Sequence, residues 1–348
     1  MDFLPFSRIL GQERALGFLK KVMDRDRIPH AYLFVGIPGV GKTSTALAFT
    51  QAVNCIEPVD GEGCGQCISC RQIAGGNFPD LLFEEPEGQS LKIDQIRKIN
   101  HALAFKPLSG KFRVSIIRKA ELMTAEAANA FLKTLEEPPL GNILILNVTE
   151  PLDLLPTIVS RCQKVSFLPL PVDIIGQEVV DRAGIDRDKA TVLARLSEGS
   201  LGKALKMCET DFFERREIYL SHLIEMQGLP REDVLSLAVD YAKQHKNKDL
   251  DPSEKGEGVL FDLLSIWKSW FRDLLLLNLG GPRNLLINVD FSHKLQNLYK
   301  NFKVDPLIGS IRVLDQAQRD LLRMRNVDLN METTFLTLKR YAGQMVGA

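Results

Sequence analysis

Neither sign of charge is in excess: the 348-residue chain carries 44 Lys+Arg and 44 Asp+Glu, a formal net charge of zero. That argues against a free-standing protein that holds nucleic acid through bulk charge, although a local basic face stays open. A long apolar run is missing too. The most apolar stretch, 259–279, is interrupted by Asp262, Lys268, Arg272 and Asp273, whereas a membrane span needs about 18 or more near-continuous apolar residues. It reads as a buried amphipathic helix, and no membrane role is expected. Met1-Asp2-Phe3-Leu4-Pro5 is acidic and Pro-broken and lacks a secretory pattern, so the expectation is a soluble, cytoplasmic protein. The remaining composition, 45% hydrophobic and 25% charged, is that of an ordinary globular chain. Its length allows two or three domains at roughly 100–200 residues each.

The most informative stretch is Gly36-Ile37-Pro38-Gly39-Val40-Gly41-Lys42-Thr43, which fits the phosphate-cradling pattern G-x-x-x-x-G-K-[ST]. Ala31 to Val35 before it reads as a buried strand, and Ser44 to Ala52 after it as a helix. Gly36, Gly39 and Gly41 let the backbone approach a phosphate, and the amides of the helix start, including those of Thr43 and Ser44, point at the anion. Lys42 reaches the terminal phosphates and the Thr43 hydroxyl can hold Mg²⁺. A chance Gly-rich turn is the bland alternative, and the flanking strand and helix weigh against it.

Four of the six cysteines, Cys55, Cys64, Cys67 and Cys70, follow the spacing C-x8-C-x2-C-x2-C. Two overlapping C-x2-C steps place thiolates on tight turns, close enough to close a tetrahedral Cys₄ shell around structural zinc. Two disulfides, or a redox C-x-x-C, are the alternatives. The cytoplasmic setting weakens the first and the presence of four cysteines the second. Cys162 and Cys208 read as ordinary buried thiols.

Strands are expected at 81–83, 112–117, 142–148 and 164–167, and helices at 12–23, 93–105 and 125–137, with a helical turn at 154–160. This alternation is that of a doubly wound parallel sheet. The strand at 112–117 should end in an acid that helps hold Mg²⁺, followed by a Glu that orients water. It ends in Arg118-Lys119-Ala120-Glu121. Cations there repel the metal, and Glu121 lies too far along to be the obvious substitute. Leu168-Pro169-Leu170-Pro171 marks a boundary. About three short helices follow to residue 208. Helices are then expected at 211–226, 231–245, 256–279, 291–301, 304–325 and 330–346, with a polar loop at 246–258. Phe261, Leu264, Trp267, Phe271, Leu274 and Leu275 repeat at helical spacing and read as a bundle core.

Taken together, these residues resemble the bacterial DNA polymerase III clamp loader family of AAA+ proteins. The resemblance is carried by Arg27-Ile28-Pro29-His30-Ala31-Tyr32-Leu33-Phe34 leading into the P-loop, by the four-cysteine insertion, by the run from Ala127 to Pro139 (A-A-N-A-F-L-K-T-L-E-E-P-P) and by Ser160-Arg161-Cys162. It covers residues 4 to about 208 strongly and the rest in helical character only. Gamma/tau-type members have Asp-Glu where this chain has Arg118-Lys119, an Arg where it has Gly202, and in tau an extended tail beyond residue 348. These departures, and Leu91 to Arg97, are delta-prime-like, although the intact P-loop differs from delta-prime members that lack one.

The resemblance implies an α/β AAA+ domain at 1–168 carrying a zinc module at about 55–70, a three-helix lid at 169–208 and an all-α collar at 209–348. It implies a five-subunit arc with gamma/tau and delta subunits, acting on the sliding clamp and primer-template DNA. Arg161 would project into a neighbour's ATP site as a trans arginine finger, the alternative being a surface salt bridge. Hydrolysis by this subunit itself is not expected, but ATP or ADP with Mg²⁺ could be a structural ligand. Two other readings stay open. One is an ATP-hydrolysing gamma/tau-like motor resting on Lys42 and Thr43. The other is a DNA-binding AAA+ module resting on Arg97, Lys98, Lys106, Lys111 and Arg113.

Overall fold

The structure, a computed structural model, describes residues 5–25, 27–88, 90–247, 258–322 and 325–345. The expected polar loop at 246–258 falls mostly outside the described residues. The chain forms two compact units, one made of 1–174 with 199–203 and the other of 175–198 with 204–348.

In the first unit five parallel strands alternate with helices. In chain order these are α1 (Glu13–Asp24), β1 (Ala31–Val35), α2 (Lys42–Asn54), α3 (Ile68–Ala74), β2 (Leu81–Glu84), α4 (Ile93–Leu103), β3 (Arg113–Ile117), α5 (Ala125–Glu136), β4 (Asn142–Val148), α6 (Pro156–Val159) and β5 (Gln163–Ser166). The strand order is β2-β3-β4-β1-β5. β4 sits in the middle and is buried at all seven residues, as its nearly continuous apolar sequence requires of a strand covered on both faces. The register pairs Ala31 with Leu144 and Ile117 with Leu146.

Side chains alternate across the sheet, so each face builds its own core. Leu33, Leu144 and Leu146 pack with Phe131 and Leu135 of α5 on one face. Tyr32, Phe34, Ile143 and Ile145 pack with Ala46 and Phe49 of α2 on the other. Thr124 caps α5 by accepting from the Ala127 amide, which serves one of the unbonded N–H groups of the first turn.

A buried ion pair fixes the edge of the sheet opposite the P-loop. The Asp80 carboxylate accepts from the Leu108, Ser109 and Gly110 amides at 2.7–2.8 Å and from Arg113 at 3.0 Å. Arg113 also donates to the carbonyls of Ala102, Phe105 and Lys106. This corrects one expectation, because Arg113 is buried at 4% exposure and is not a surface cation. Arg97, in the same expected basic cluster, is paired with Asp94 at 3.2 Å.

The remaining helices are α7 (Val172–Ala183), α8 (Arg187–Leu196), α9 (Leu201–Cys208), α10 (Phe212–Glu225), α11 (Arg231–Asn247), α12 (Val259–Asn278), α13 (Ser292–Leu298), α14 (Val304–Leu322) and α15 (Val327–Met345). In the second unit α12 is the hub, packing on α10, α11 and α14, with α15 closing against α11 and α14. Its Leu264, Trp267, Phe271 and Leu274 are buried, as their spacing predicts. Trp267 donates its indole N–H to the Tyr219 carbonyl at 2.7 Å and packs against Phe335 with the rings tilted by 50°. No helix among the described residues is long and apolar enough to cross a membrane.

Candidate functional site

The P-loop leaves the fully buried β1 and runs into α2. A Cβ on Gly36 would lie 2.7 Å from the Phe167 carbonyl oxygen, so only glycine fits. Gly39 and Gly41 take positive φ of +73° and +104°, a region glycine enters without steric cost. Gly41 is the N-cap of α2 and offers no side chain to its first turn, which leaves the amides of that turn facing the loop. Gly36, Gly39, Gly41, Lys42, Thr43 and Ser44 are thus gathered on one loop and one helical turn.

Lys42 folds over the loop and donates to the Gly36 carbonyl and, at 2.9 Å, to that of Ile37. Burial draws its ammonium down to about 8; the Glu121 carboxylate opposes that shift and the Arg118 guanidinium adds to it. The Thr43 hydroxyl accepts from Asn147 at 3.1 Å. Gln12, itself buried, donates to Val40 and Leu168 and accepts from the Leu168 amide, bracing the loop against the exit of β5. The start of α9 presses on the loop directly. The Gly202 amide donates to the Gly39 carbonyl at 3.0 Å, and a Cβ on Gly202 would lie 2.9 Å from the Gly39 Cα.

The residues at the end of β3 do not fit a magnesium ion. Arg118 and Lys119 stand where carboxylate oxygens would have to approach the metal to about 2.0–2.1 Å. Arg118 is paired with Glu85 at 2.9 Å. Glu121 lies within electrostatic reach of Lys42, but one of its oxygens accepts from the Thr149 amide and hydroxyl.

Three contacts of this site escape sequence reasoning: the Gln12 brace, the Asn147–Thr43 bond and the Glu121–Thr149 link. Asn147 alone leaves a signal, as the one polar side chain inside the apolar run Ile143 to Val148. It is 3% exposed and its Oδ1 has no hydrogen-bond partner.

Cys55, Cys64, Cys67 and Cys70 converge, their sulfurs all within 4.8 Å of one another. A tetrahedral shell with Zn–S near 2.3 Å sets S···S at about 3.8 Å, and Cys55 and Cys67 lie at 3.9 Å. The Cys64, Cys67 and Cys70 amides point at the sulfurs of Cys55, Cys64 and Cys67, which favours thiolates at Cys64 and Cys67, whereas burial leaves the Cys55 and Cys70 thiols raised. Burial would raise the Cys67 thiol, but the Ile56 and Cys70 amides and neighbouring thiols outweigh it and hold it near 6. None of the four is in a disulfide, and the donor set fits zinc. Burial pushes the isolated Cys162 up to about 12.

Arg161 sits just beyond α6. It donates to the Thr157 carbonyl at 3.0 Å and pairs with Glu136, the last residue of α5, at 2.7 Å. The pair is partly exposed on both sides.

The geometry can be set beside known proteins. Residues 11–171 match the family described as DNA polymerase III, delta subunit. The chain is 34% identical over 338 residues to the DNA polymerase III subunit delta′ of Bacillus subtilis, covering 94% of this chain and 96% of that one. It is 33% identical over 251 residues to the tau/gamma subunit of Haemophilus influenzae, covering 70% of this chain and 36% of that protein. It likewise spans 58% of the B. subtilis tau subunit. Among solved structures it is similar to a gamma subunit-related protein of Thermotoga maritima, with a TM-score of 0.45, 19% identity and coverage of 94% and 99%. The chain belongs to the family of DNA polymerase III delta′ and tau/gamma subunits.

Proposed function

We propose that this chain is the delta-prime subunit of a bacterial clamp loader. It assembles with gamma/tau and delta subunits in the cytoplasm and supports ATP-driven placement of the sliding clamp on primer-template DNA. The segment 1–168 supplies the AAA+ body, 169–208 the lid and 209–348 the collar that joins the arc. The cysteine cluster holds a structural Zn²⁺. The P-loop holds a nucleotide that stabilises the fold through linkage.

One observation carries the reading. The cationic Arg118 and Lys119 replace the acids of the chain's own site, while Arg161 stands partly exposed, tied to the Glu136 carboxylate, the Thr157 carbonyl and, at 3.5 Å, the Ser160 hydroxyl. A surface ion pair of this kind contributes about 0–1 kcal/mol, so a neighbour's phosphate can displace Glu136 at little cost. Phosphoryl transfer is mostly positioning and charge stabilisation, and an arginine supplied in trans is worth about 10³–10⁵ in rate. Arg161→Ala in the reconstituted complex should leave assembly intact and sharply lower DNA-stimulated hydrolysis; unchanged hydrolysis refutes the role. The motor reading keeps one point in its favour, the Glu121 carboxylate near Lys42. Turnover by the isolated chain that vanishes in Lys42→Ala would establish it instead.

A further inference from the structure

The misfit between the P-loop and a divalent metal has a constructive side. Ile117 is level with Leu146, so Arg118 and Asn147 are the next residues along two adjacent strands. The Arg118 amide extends the ladder by donating to the Glu84 carbonyl at 2.9 Å. Ile117 and Leu146 both face the core under α5, and alternation turns Arg118 and Asn147 to the opposite face, where α2 and the P-loop lie. Asn147 reaches Thr43, the residue that would otherwise contact a metal. A guanidinium is therefore rooted beside the place where the loop's cation would sit.

We infer that the P-loop binds the phosphate chain of a nucleoside di- or triphosphate as the metal-free anion, with Arg118 supplying the counter-charge that Mg²⁺ supplies elsewhere. The inference rests on the nucleotide reading above and adds its charge chemistry. Arg118 is held by Glu85 alone among the side-chain contacts described, in a pair exposed at 43% and 52%. Such a pair contributes about 0–1 kcal/mol. A phosphate accepts a guanidinium through two parallel N–H···O bonds and carries more charge than a carboxylate, so the swing from Glu85 to phosphate is downhill. Lys42 already feels the Arg118 charge. Two cations this close gain by sharing a polyanion, and a metal ion placed between them meets repulsion from both. Glu121 softens that repulsion, yet Thr149 engages one of its oxygens.

The test is equilibrium binding of fluorescent ADP and ATP analogues to the full chain, in EDTA and in excess Mg²⁺. The wild-type protein should bind as tightly in EDTA as in Mg²⁺, or more tightly, since the free nucleotide carries more charge. Arg118→Ala should weaken binding in EDTA by about tenfold to a hundredfold, with an unchanged thermal melt because its ion pair is exposed. Arg118→Asp should make binding depend on Mg²⁺, and Lys42→Ala should abolish it in both buffers. Wild-type binding that requires Mg²⁺ and loses that requirement in Glu121→Gln overturns the inference while leaving the nucleotide reading standing. No binding in either buffer overturns both.

Discussion

Asp80→Asn is the sharpest perturbation of the first unit. The carboxylate is fully buried and takes four hydrogen bonds, three from backbone amides and one from Arg113. Asparagine keeps the shape, removes the charge and turns an NH₂ group toward donors. Arg113, itself buried, then loses its only described carboxylate partner and is left with carbonyls. Breaking one side of a buried pair costs about 3–5 kcal/mol, a large share of the roughly 5–15 kcal/mol that holds a domain together. With urea slopes of about 1–3 kcal/mol/M, the midpoint should fall by one to several molar.

The probe matters. Both tryptophans of the chain lie in α12 of the second unit, so tryptophan fluorescence is blind to this change. Far-UV circular dichroism and hydrogen exchange of residues 104–112 are the informative readouts. The acid limb gives the second check. Burial would raise the Asp80 carboxyl, but the three amides and Arg113 hold it below its usual value. A depressed folded pKa gives stability that is present above the unfolded value of about 3.9 and is lost as pH falls through the folded one. Asp80→Asn should flatten that loss. A destabilisation under about 1 kcal/mol, with unchanged exchange at 104–112, would refute this account of the pair.

Two further outcomes follow from the sites. Purified protein should contain about one equivalent of zinc, and a strong chelator should abolish exchange protection in residues 55–74 while sparing β1 and β4; metal-free protein with full protection there would exclude the zinc shell. Nucleotide phosphates favour the charged form of Lys42, whose ammonium in the free protein is half deprotonated at about pH 8. Affinity should therefore hold below that pH and decline between about pH 8 and 9.5, with proton uptake visible by calorimetry in buffers of different ionisation enthalpy. A flat pH profile would mean that Lys42 does not face the phosphates.

The sheet was legible because its strands are short apolar runs with sharp ends. Ala31–Val35 and Asn142–Val148 were readable to the residue, since a strand buried on both faces leaves no ambiguity of phase. The P-loop and the cysteines were legible because their chemistry demands fixed spacing. The short helix α3 was not, as the ligand spacing of Cys67 and Cys70 masks its periodicity. Long-range polar contacts were not legible either. Asn147 meets Thr43 across 104 residues, and Arg113 meets Asp80 across 33. Nothing local marks a cation that will be buried. Arg216 repeats the lesson in the second unit, where it is buried and gripped by Asp290 and Asn288.

The Gln12 side chain has a consequence for the chain's topology. By bonding both the amide and the carbonyl of Leu168, it closes a loop of 156 residues with a single carboxamide, and the same group reaches Val40 inside the P-loop. The loop's order is thus borrowed from the two ends of the sheet-forming segment. Fraying at the start of α1 and fraying after β5 become one event, and both are felt at the phosphate cradle.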